Sequence, residues 1–133
     1  MKTKLNFLIN FLLIVILLVS CKSYSSDEID EIIGEPIKIG NLEVIQNDFP
    51  KKMDWFDAVK NCEDLGGGWR LPTNDELNLM YINQDKIGGF ASNDYWSSTE
   101  GIYGAWFQNF GNGTQGSDLE KATIANVRAV RTF

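Results

Sequence analysis

The sequence predicts a small α+β domain, and three observations carry this prediction. Residues 37–45 alternate apolar with polar side chains, as a strand with one buried face does. Two segments with helix start signals follow, at Asp54 and Thr73. Beyond Gly88-Gly89 the chain is rich in aromatic and β-branched residues, which favour strands. The order strand, helix, helix and several strands predicts helices packed on small antiparallel sheets.

Residues 1–20 are predicted to be an export signal. Two lysines precede an apolar run from Phe11 to Val19, and this run is shorter than the about 20 residues that span a bilayer. The run ends in Leu18-Val19-Ser20-Cys21, which resembles the bacterial lipobox. The resemblance implies cleavage before Cys21 and acylation of that cysteine, with chains such as palmitate, so that Cys21 anchors the protein to a membrane. An incidental cysteine beside an ordinary cleavage site is the alternative.

Residues 21–36 are expected to be the lipidated cysteine followed by a flexible acidic tether. The preferred interpretation is a self-repelling extended spacer, because the segment contains serines, five carboxylates, Gly34 and Pro36. The carboxylates do not have the spacing of a calcium loop. Lys22, which stands where Asp would retain a lipoprotein in the inner membrane, implies delivery to the outer membrane. The acidic residues resemble surface-export signals. The predicted location is therefore the cell envelope, with exposure at the cell surface as a further expectation, and 37–133 is the predicted domain.

The first strand is predicted over 37–45, and the first helix begins after Asp54, which serves as its N-cap. Its inner face is formed by residues at helical spacing, namely Trp55, Ala58, Val59, Cys62 and Leu65. Gly66 to Gly68 end the helix. Cys62 is therefore expected to face the core as a small hydrophobic residue, rather than to act as a nucleophile or redox sensor.

The second helix is predicted to begin after Thr73 with a capping box, because Glu76 stands three residues later. Its inner face contains Leu77, Met80 and Tyr81. Strands are predicted at 95–98, 103–110 and 124–132. The dipeptide Asn112-Gly113 predicts a tight hairpin in which 105–110 pairs with 114–117.

Composition excludes several classes of function. The formal charge is −6, and Lys51-Lys52 is the longest basic feature, so a nucleic-acid partner is not expected. The chain has no histidine, which removes the commonest general base and the commonest nitrogen ligand for transition metals. Neither a metal site nor a cofactor is expected, and we predict that the protein is not an enzyme.

Five motifs occur in an ordered series: Trp55-x-x-Ala58-x-x-x-Cys62-x-x-Leu65, Gly68-Trp69-Arg70-Leu71-Pro72-Thr73-x-x-Glu76-Leu77, Tyr95-Trp96-Ser97-Ser98-Thr99, Ala105-Trp106 and Val127-Arg128-Ala129-Val130-Arg131. The series resembles the Lcl C-terminal domain family, also called DUF1566, which is related to the Fibrobacter major-paralogue domains. The resemblance covers 37–133. It implies a C-type-lectin-like fold, with two helices on small twisted antiparallel sheets, a long loop region and chain ends that lie close together.

The Arg-Leu-Pro-Thr-x-x-Glu stretch is also similar to the formylglycine-generating enzymes. Their chemistry needs two reactive cysteines late in the domain to bind copper, and no cysteine follows Cys62. Ser97, Ser98 and Thr99 lack a histidine to activate them and are expected to be turn and cap hydroxyls. This similarity therefore does not imply an enzyme.

The remaining motif residues are expected to have structural roles. Arg70 is expected to bridge carbonyls and carboxylates near a helix start, although an anionic ligand is the alternative. Arg128 and Arg131 are expected to pair with acidic residues across the sheet. Trp96 and Trp106 are expected in the core.

Residues 101–118 are the candidate ligand-binding region. Their rings, amides and carboxylate suit a sugar or a protein, and the candidate contacts are Tyr103, Asn109, Asn112, Gln115 and Asp118. A polar hairpin without a ligand is the alternative. Calcium-dependent sugar binding is not expected, because the lectin signatures Glu-Pro-Asn and Trp-Asn-Asp do not occur. The expected function is a non-catalytic binding module for a glycan, an extracellular polymer or a protein. A structural or assembly component that binds another envelope protein is the alternative.

Overall fold

The computed structural model describes residues 23–133, so the predicted export signal, Cys21 and Lys22 lie outside the described residues. The described chain is α+β, which confirms the predicted class. Its elements, in order, are α1 (Ser26–Ile33), β1 (Ile37–Ile39), β2 (Leu42–Val44), α2 (Trp55–Asp64), α3 (Asn74–Ile82), α4 (Gln84–Ile87), β3 (Asp94–Glu100), β4 (Ala105–Asn109), β5 (Gln115–Leu119) and β6 (Val130–Thr132).

The first sheet has the strand order β1-β2-β6 and is antiparallel throughout. The prediction of one strand over 37–45 is wrong, because the chain reverses at Gly40-Asn41 and forms a hairpin. Gly40 adopts a φ of +57°, which a glycine reaches without steric cost. Since β1 and β6 both flank β2, the two ends of the domain lie in the same sheet, with one strand between them.

The second sheet has the order β3-β4-β5. The predicted hairpin at Asn112-Gly113 is confirmed, since β4 and β5 pair antiparallel on either side of it. Only the last part of the predicted strand 124–132 is a strand. Before it, Ala125 bridges to Met53 and Asn126 bridges to Tyr95, so this irregular segment connects the two sheets.

Both predicted helices of the domain are confirmed, with their caps. The Asp54 side chain accepts a hydrogen bond from the Asp57 backbone at the start of α2. Thr73 and Glu76 form the reciprocal capping box of α3. Cys62 is fully buried, and burial raises the pKa of its thiol far above the ordinary value, so the expected core position is confirmed.

The acidic segment before the domain differs from the predicted extended spacer. Residues 26–33 form α1, which begins with a capping box between Ser25 and Glu28. Ile32 is buried, and Tyr24 and Ile29 pack against the same core cluster as Ile32. The free energy gained by burying the apolar face of this short helix therefore exceeds the cost of repulsion among its carboxylates, which lie on the other faces.

Buried apolar side chains within 23–133 form two clusters. The first lies against α1 and α2 and includes Ile32, Phe49, Trp55, Cys62, Trp69 and Trp96. The second lies against α3 and the β4–β5 hairpin and includes Leu42, Leu77, Met80, Tyr95 and Phe110. Tyr95 and Trp96 are neighbours on β3 and belong to different clusters, so β3 separates the two halves of the core.

Candidate functional site

Arg70 and Glu76 form a bidentate ion pair beside the start of α3. The Arg70 Nη1 and Nη2 atoms lie 2.7 and 2.8 Å from the two carboxylate oxygens of Glu76. Partial burial alone would raise the pKa of Glu76, but the hydrogen bonds from Arg70 and Thr73 outweigh burial and lower that pKa below its ordinary value. Arg70 also donates to the Leu71 carbonyl. Arg70 therefore bridges a carboxylate and a carbonyl near the helix start, which are the contacts expected for it.

Arg128 is the most deeply buried charged side chain in the described part of the chain, with no exposed side-chain surface. Its Nε donates to an Asp48 oxygen at 2.6 Å. Its Nη1 and Nη2 donate at 2.9 Å to the carbonyls of Gln46 and Gly89, and its guanidinium lies 4.2 Å from the Phe90 ring centroid. Arg128 therefore connects three loops, and the expectation of a pair across the sheet is wrong for it, because both Arg128 and Asp48 lie outside the strands.

Arg131 meets the expectation of a pair across the sheet. It stands opposite Glu43 in the register of β2 and β6 and donates to that carboxylate. Its guanidinium lies 4.4 Å from the centroid of the Trp69 ring. Arg131 thereby covers the buried Trp69.

The tryptophans divide into core residues and one surface residue. Trp55 donates from its ring nitrogen to the Ser97 carbonyl at 2.8 Å, and Trp96 donates to the Met53 carbonyl at 2.9 Å. Both rings are buried, as expected for Trp96. Trp106 is partly exposed and belongs to neither core cluster, so its expected core position is wrong. Ala105 and Phe107 pack against the first cluster, and Trp106 between them lies on the opposite face of β4.

The hydroxyls of β3 serve as local caps. The Ser97 oxygen accepts from the Thr99 backbone, and the Thr99 oxygen accepts from the Asn74 backbone at 3.0 Å. Thr99 thus accepts a hydrogen bond from a backbone N–H at the first turn of α3 that has no partner within the helix. Sequence spacing does not reveal this contact, because the two residues are far apart in the chain. The prediction of turn and cap hydroxyls is confirmed for these two residues.

Two candidate ligand contacts, Asn109 and Asn112, serve the β4–β5 turn. The Asn109 side-chain oxygen accepts from the backbones of Gly111 and Asn112, while its amide nitrogen donates to Asp94 at 2.8 Å. The Asn112 oxygen accepts from the Thr114 backbone at 2.9 Å. A ligand therefore competes with the turn for these oxygens.

Gln115 and Asp118 are also engaged, at different places. Gln115 donates to the Asn74 carbonyl at 2.9 Å and to Gln108, which links β5 to α3. One Asp118 oxygen accepts from the Tyr103 backbone at 3.2 Å. The structure therefore brings Asp118 together with Tyr103, and Asn109 together with Asn112, and it places Gln115 against α3.

The turn between β3 and β4 presents the most exposed large side chains. Ile102 and Tyr103 are 85% and 88% exposed. The Gly101 backbone donates to the Gly104 carbonyl at 2.9 Å, closing the turn. A Cβ atom on Gly101 would lie 1.8 Å from the Ser117 carbonyl oxygen, so the turn is pressed against β5. We call Gly101–Gly104 the tip.

Ile102 was missed by sequence reasoning. The signal was present as two large apolar residues between two glycines in a loop, which is where a chain exposes side chains without an internal packing role. Tyr103 was predicted as a ligand contact because of its ring. Ile102 beside it makes the tip more apolar than the prediction from Tyr103 alone.

A cavity of about 280 Å³ lies between α1 and the loop after β2. It is lined by Tyr24, Glu28, Glu31, Ile32, Asn47, Asp48 and Pro50. Sequence reasoning missed it because it exists only when α1 packs on the domain. Within 23–133 no three His, Cys, Asp or Glu side chains are grouped so that they could hold a metal ion. Over the same residues no helix combines the length and apolar character that crossing a membrane requires.

The residues of the five sequence motifs thus lie mostly in or around the two core clusters. A model of the Lcl C-terminal domain family matches residues 35–131. This chain belongs to that family. A search of curated proteins finds no match to the chain. In this Lcl C-terminal domain, most of the motif residues contact one another or the backbone within the fold.

Proposed function

We propose that this protein is an envelope-anchored lipoprotein whose Lcl C-terminal domain binds a ligand without catalysing a reaction. The observation that carries the binding role is the tip. Ile102 and Tyr103 stand side by side on a hydrogen-bonded turn and are not packed inside the domain, whereas such exposed apolar residues are typical contacts in interfaces.

A glycan, an extracellular polymer or a protein is the proposed ligand. The Tyr103 ring offers a flat stacking surface, and the Asp118 carboxylate accepts hydrogen bonds from the Tyr103 backbone and the Ser117 hydroxyl. An exposed ring and a carboxylate on neighbouring segments suit a sugar or polymer with hydroxyl groups.

The alternative is a structural or assembly component that binds another envelope protein. Ile102 supports it, because an aliphatic side chain gains most in an apolar protein pocket. The internal hydrogen bonds of Asn109, Asn112 and Gln115 support it too, since they leave fewer amide groups for sugar hydroxyls.

Glycan-array binding and in-cell cross-linking test the two ligand classes. We expect Tyr103→Ala to reduce binding by about tenfold or more, as truncating a central aromatic contact does. Ile82→Ala, which truncates an exposed apolar side chain on α3, is the matched control and should bind like the wild type. Retained binding by the Tyr103 variant in both assays would refute the role of the tip.

Anchoring is tested separately through Cys21. Palmitate labelling and fractionation of cells that produce the full chain should show acylation and membrane association. Cys21→Ser should abolish both, because the thiol is the attachment point. Unchanged labelling in the serine variant would show that the anchor is not at Cys21.

A further inference from the structure

A second exposed surface lies beside the start of the described chain. It is formed where residues 51–56 run next to residues 121–125. The Met53 and Ala125 backbones exchange two hydrogen bonds of 3.1 and 3.0 Å, and the Trp55 nitrogen donates to the Lys121 carbonyl at 2.9 Å. We call the side chains of Lys51, Lys52, Phe56 and Ile124 on these segments the Phe56 surface.

The Phe56 surface combines exposed apolar side chains with lysines. Phe56 and Ile124 are 61% and 63% exposed, and both lie outside the core clusters. Lys51 and Lys52 are exposed and have no ion-pair partner among residues 23–133. Rings and aliphatic side chains beside free ammonium groups are typical of surfaces that rest in the headgroup region of a bilayer.

This surface also lies close to the point where the chain would reach its anchor. The Tyr24 and Phe49 rings are 5.8 Å apart, so the first described residues sit beside the segment that leads into Pro50 and Lys51. Tyr24 follows Cys21 by three positions, which limits the distance between their Cα atoms to about 11 Å. Because α1 packs on the core, no longer tether is available to carry the domain away from the membrane.

We propose that the Phe56 surface docks on the lipid bilayer in which the protein is anchored. The inference rests on the proposed acylation of Cys21. Phe56 and Ile124 enter the headgroup region, and Lys51 and Lys52 contact anionic phosphates. The carboxylates of Asp54 and Asp57 oppose this contact, and Lys121, whose Nζ lies 5.5 Å from the Phe56 ring centroid, is already paired with Glu100. Docking holds the domain in one orientation instead of letting it rotate about the anchor.

Depth-dependent quenching tests the orientation. The acylated protein is reconstituted in phosphatidylcholine vesicles that contain phosphatidylglycerol, with brominated lipid as the quencher. Single fluorophores are placed at Asp57→Cys and, as a matched control, at Asp85→Cys, since both are exposed first-turn aspartates on helices. The thiol of Cys62 is buried and takes no label.

We expect stronger quenching at position 57 than at position 85. Phe56→Ser with Ile124→Ser should abolish the difference, whereas Ile82→Ser with Phe133→Ser, an equally exposed isoleucine and phenylalanine, should preserve it. Lys51→Gln with Lys52→Gln should lower the ratio of docked to undocked protein by about fivefold per lysine. The control is Lys38→Gln with Lys86→Gln, two exposed lysines outside the Phe56 surface, of which Lys38 also contacts Glu43.

Equal quenching at both positions in acylated protein would overturn the docking proposal and leave the anchor intact. Absence of palmitate from the protein would overturn both proposals together. A difference that survives the Phe56 and Ile124 substitutions would show that another surface faces the bilayer.

Discussion

Replacing Arg128 with methionine tests whether one buried guanidinium holds the two halves of the domain together. Methionine keeps much of the apolar stem and removes the charge and all donors. The Asp48 carboxylate, only 21% exposed, then loses its ion partner, and the carbonyls of Gln46 and Gly89 lose donors. Removing one partner of a buried ion pair costs about 3–5 kcal/mol. For a domain of this size that corresponds to a Tm about 12–20 °C lower.

Arg131→Met is the matched control, because Arg131 also pairs with a carboxylate and stacks on a ring. Its side chain is 33% exposed, so water replaces much of what is lost. We expect a cost of about 1–2 kcal/mol from the loss of a partly exposed ion pair and a cation–π contact.

Urea unfolding followed by tryptophan fluorescence measures both variants, with the m-value as the check on two-state behaviour. Asp48→Asn in the Arg128→Met background should restore part of the stability. The unpaired charge is then gone, and the amide oxygen at position 48 can still accept the hydrogen bond that the Tyr95 hydroxyl donates to the carboxylate. Equal costs for the two arginine variants would refute the reasoning, since burial is what separates them.

Three further predictions concern single groups. Gly113→Ala should destabilise the fold by about 1–3 kcal/mol in urea unfolding, because φ is +79° and the added Cβ would lie 2.7 Å from the Tyr81 ring. The stability that ionised Glu76 contributes should be fully present above its ordinary pKa of 4.5 and be lost as pH falls through the lower pKa of the folded state. The free energy of unfolding of Glu76→Gln should therefore change less between neutral and acid pH than that of the wild type. Cys62 should react with thiol reagents at neutral pH at the rate of unfolding, and fast labelling of native protein would contradict its burial.

Local signals predicted the helices of the domain and the second hairpin. The caps at Asp54 and Thr73, and the turn at Asn112-Gly113, act over a few neighbouring residues, and the energies involved are those of the segment itself. Membership in the Lcl C-terminal domain family was likewise predicted from ordered motifs and is confirmed over 35–131.

The first hairpin and α1 were missed although their signals are local. Gly40-Asn41 is a two-residue hairpin loop that interrupts the alternating pattern of 37–45. Ser25 and Glu28 have capping-box spacing, and Ile29, Ile32 and Ile33 follow at helical intervals. The five carboxylates of 21–36 suggested a solvated spacer, but charge on one side of a helix does not prevent burial of the other.

Trp106 and the ligand candidates could not be placed from sequence for a different reason. Trp106 alternates with Ala105 and Phe107 along β4, and only the packing of β4 shows which of its faces meets the first cluster. Whether Asn109 or Gln115 is free depends on partners 15 and 41 residues away, or on the geometry of the turn. Residue type shows which hydrogen bonds a side chain can make, and only the fold shows which are already made.

The same distinction locates function in this domain. Apart from Trp106, the motif arginines and tryptophans contact carbonyls, carboxylates or rings of the protein, so their substitution should affect folding before it affects a ligand. The tip and the Phe56 surface expose apolar side chains that lie outside the two core clusters. Under our two proposals, the Phe56 surface contacts the bilayer and the tip stays free, so the anchored domain binds its ligand in a defined direction relative to the membrane.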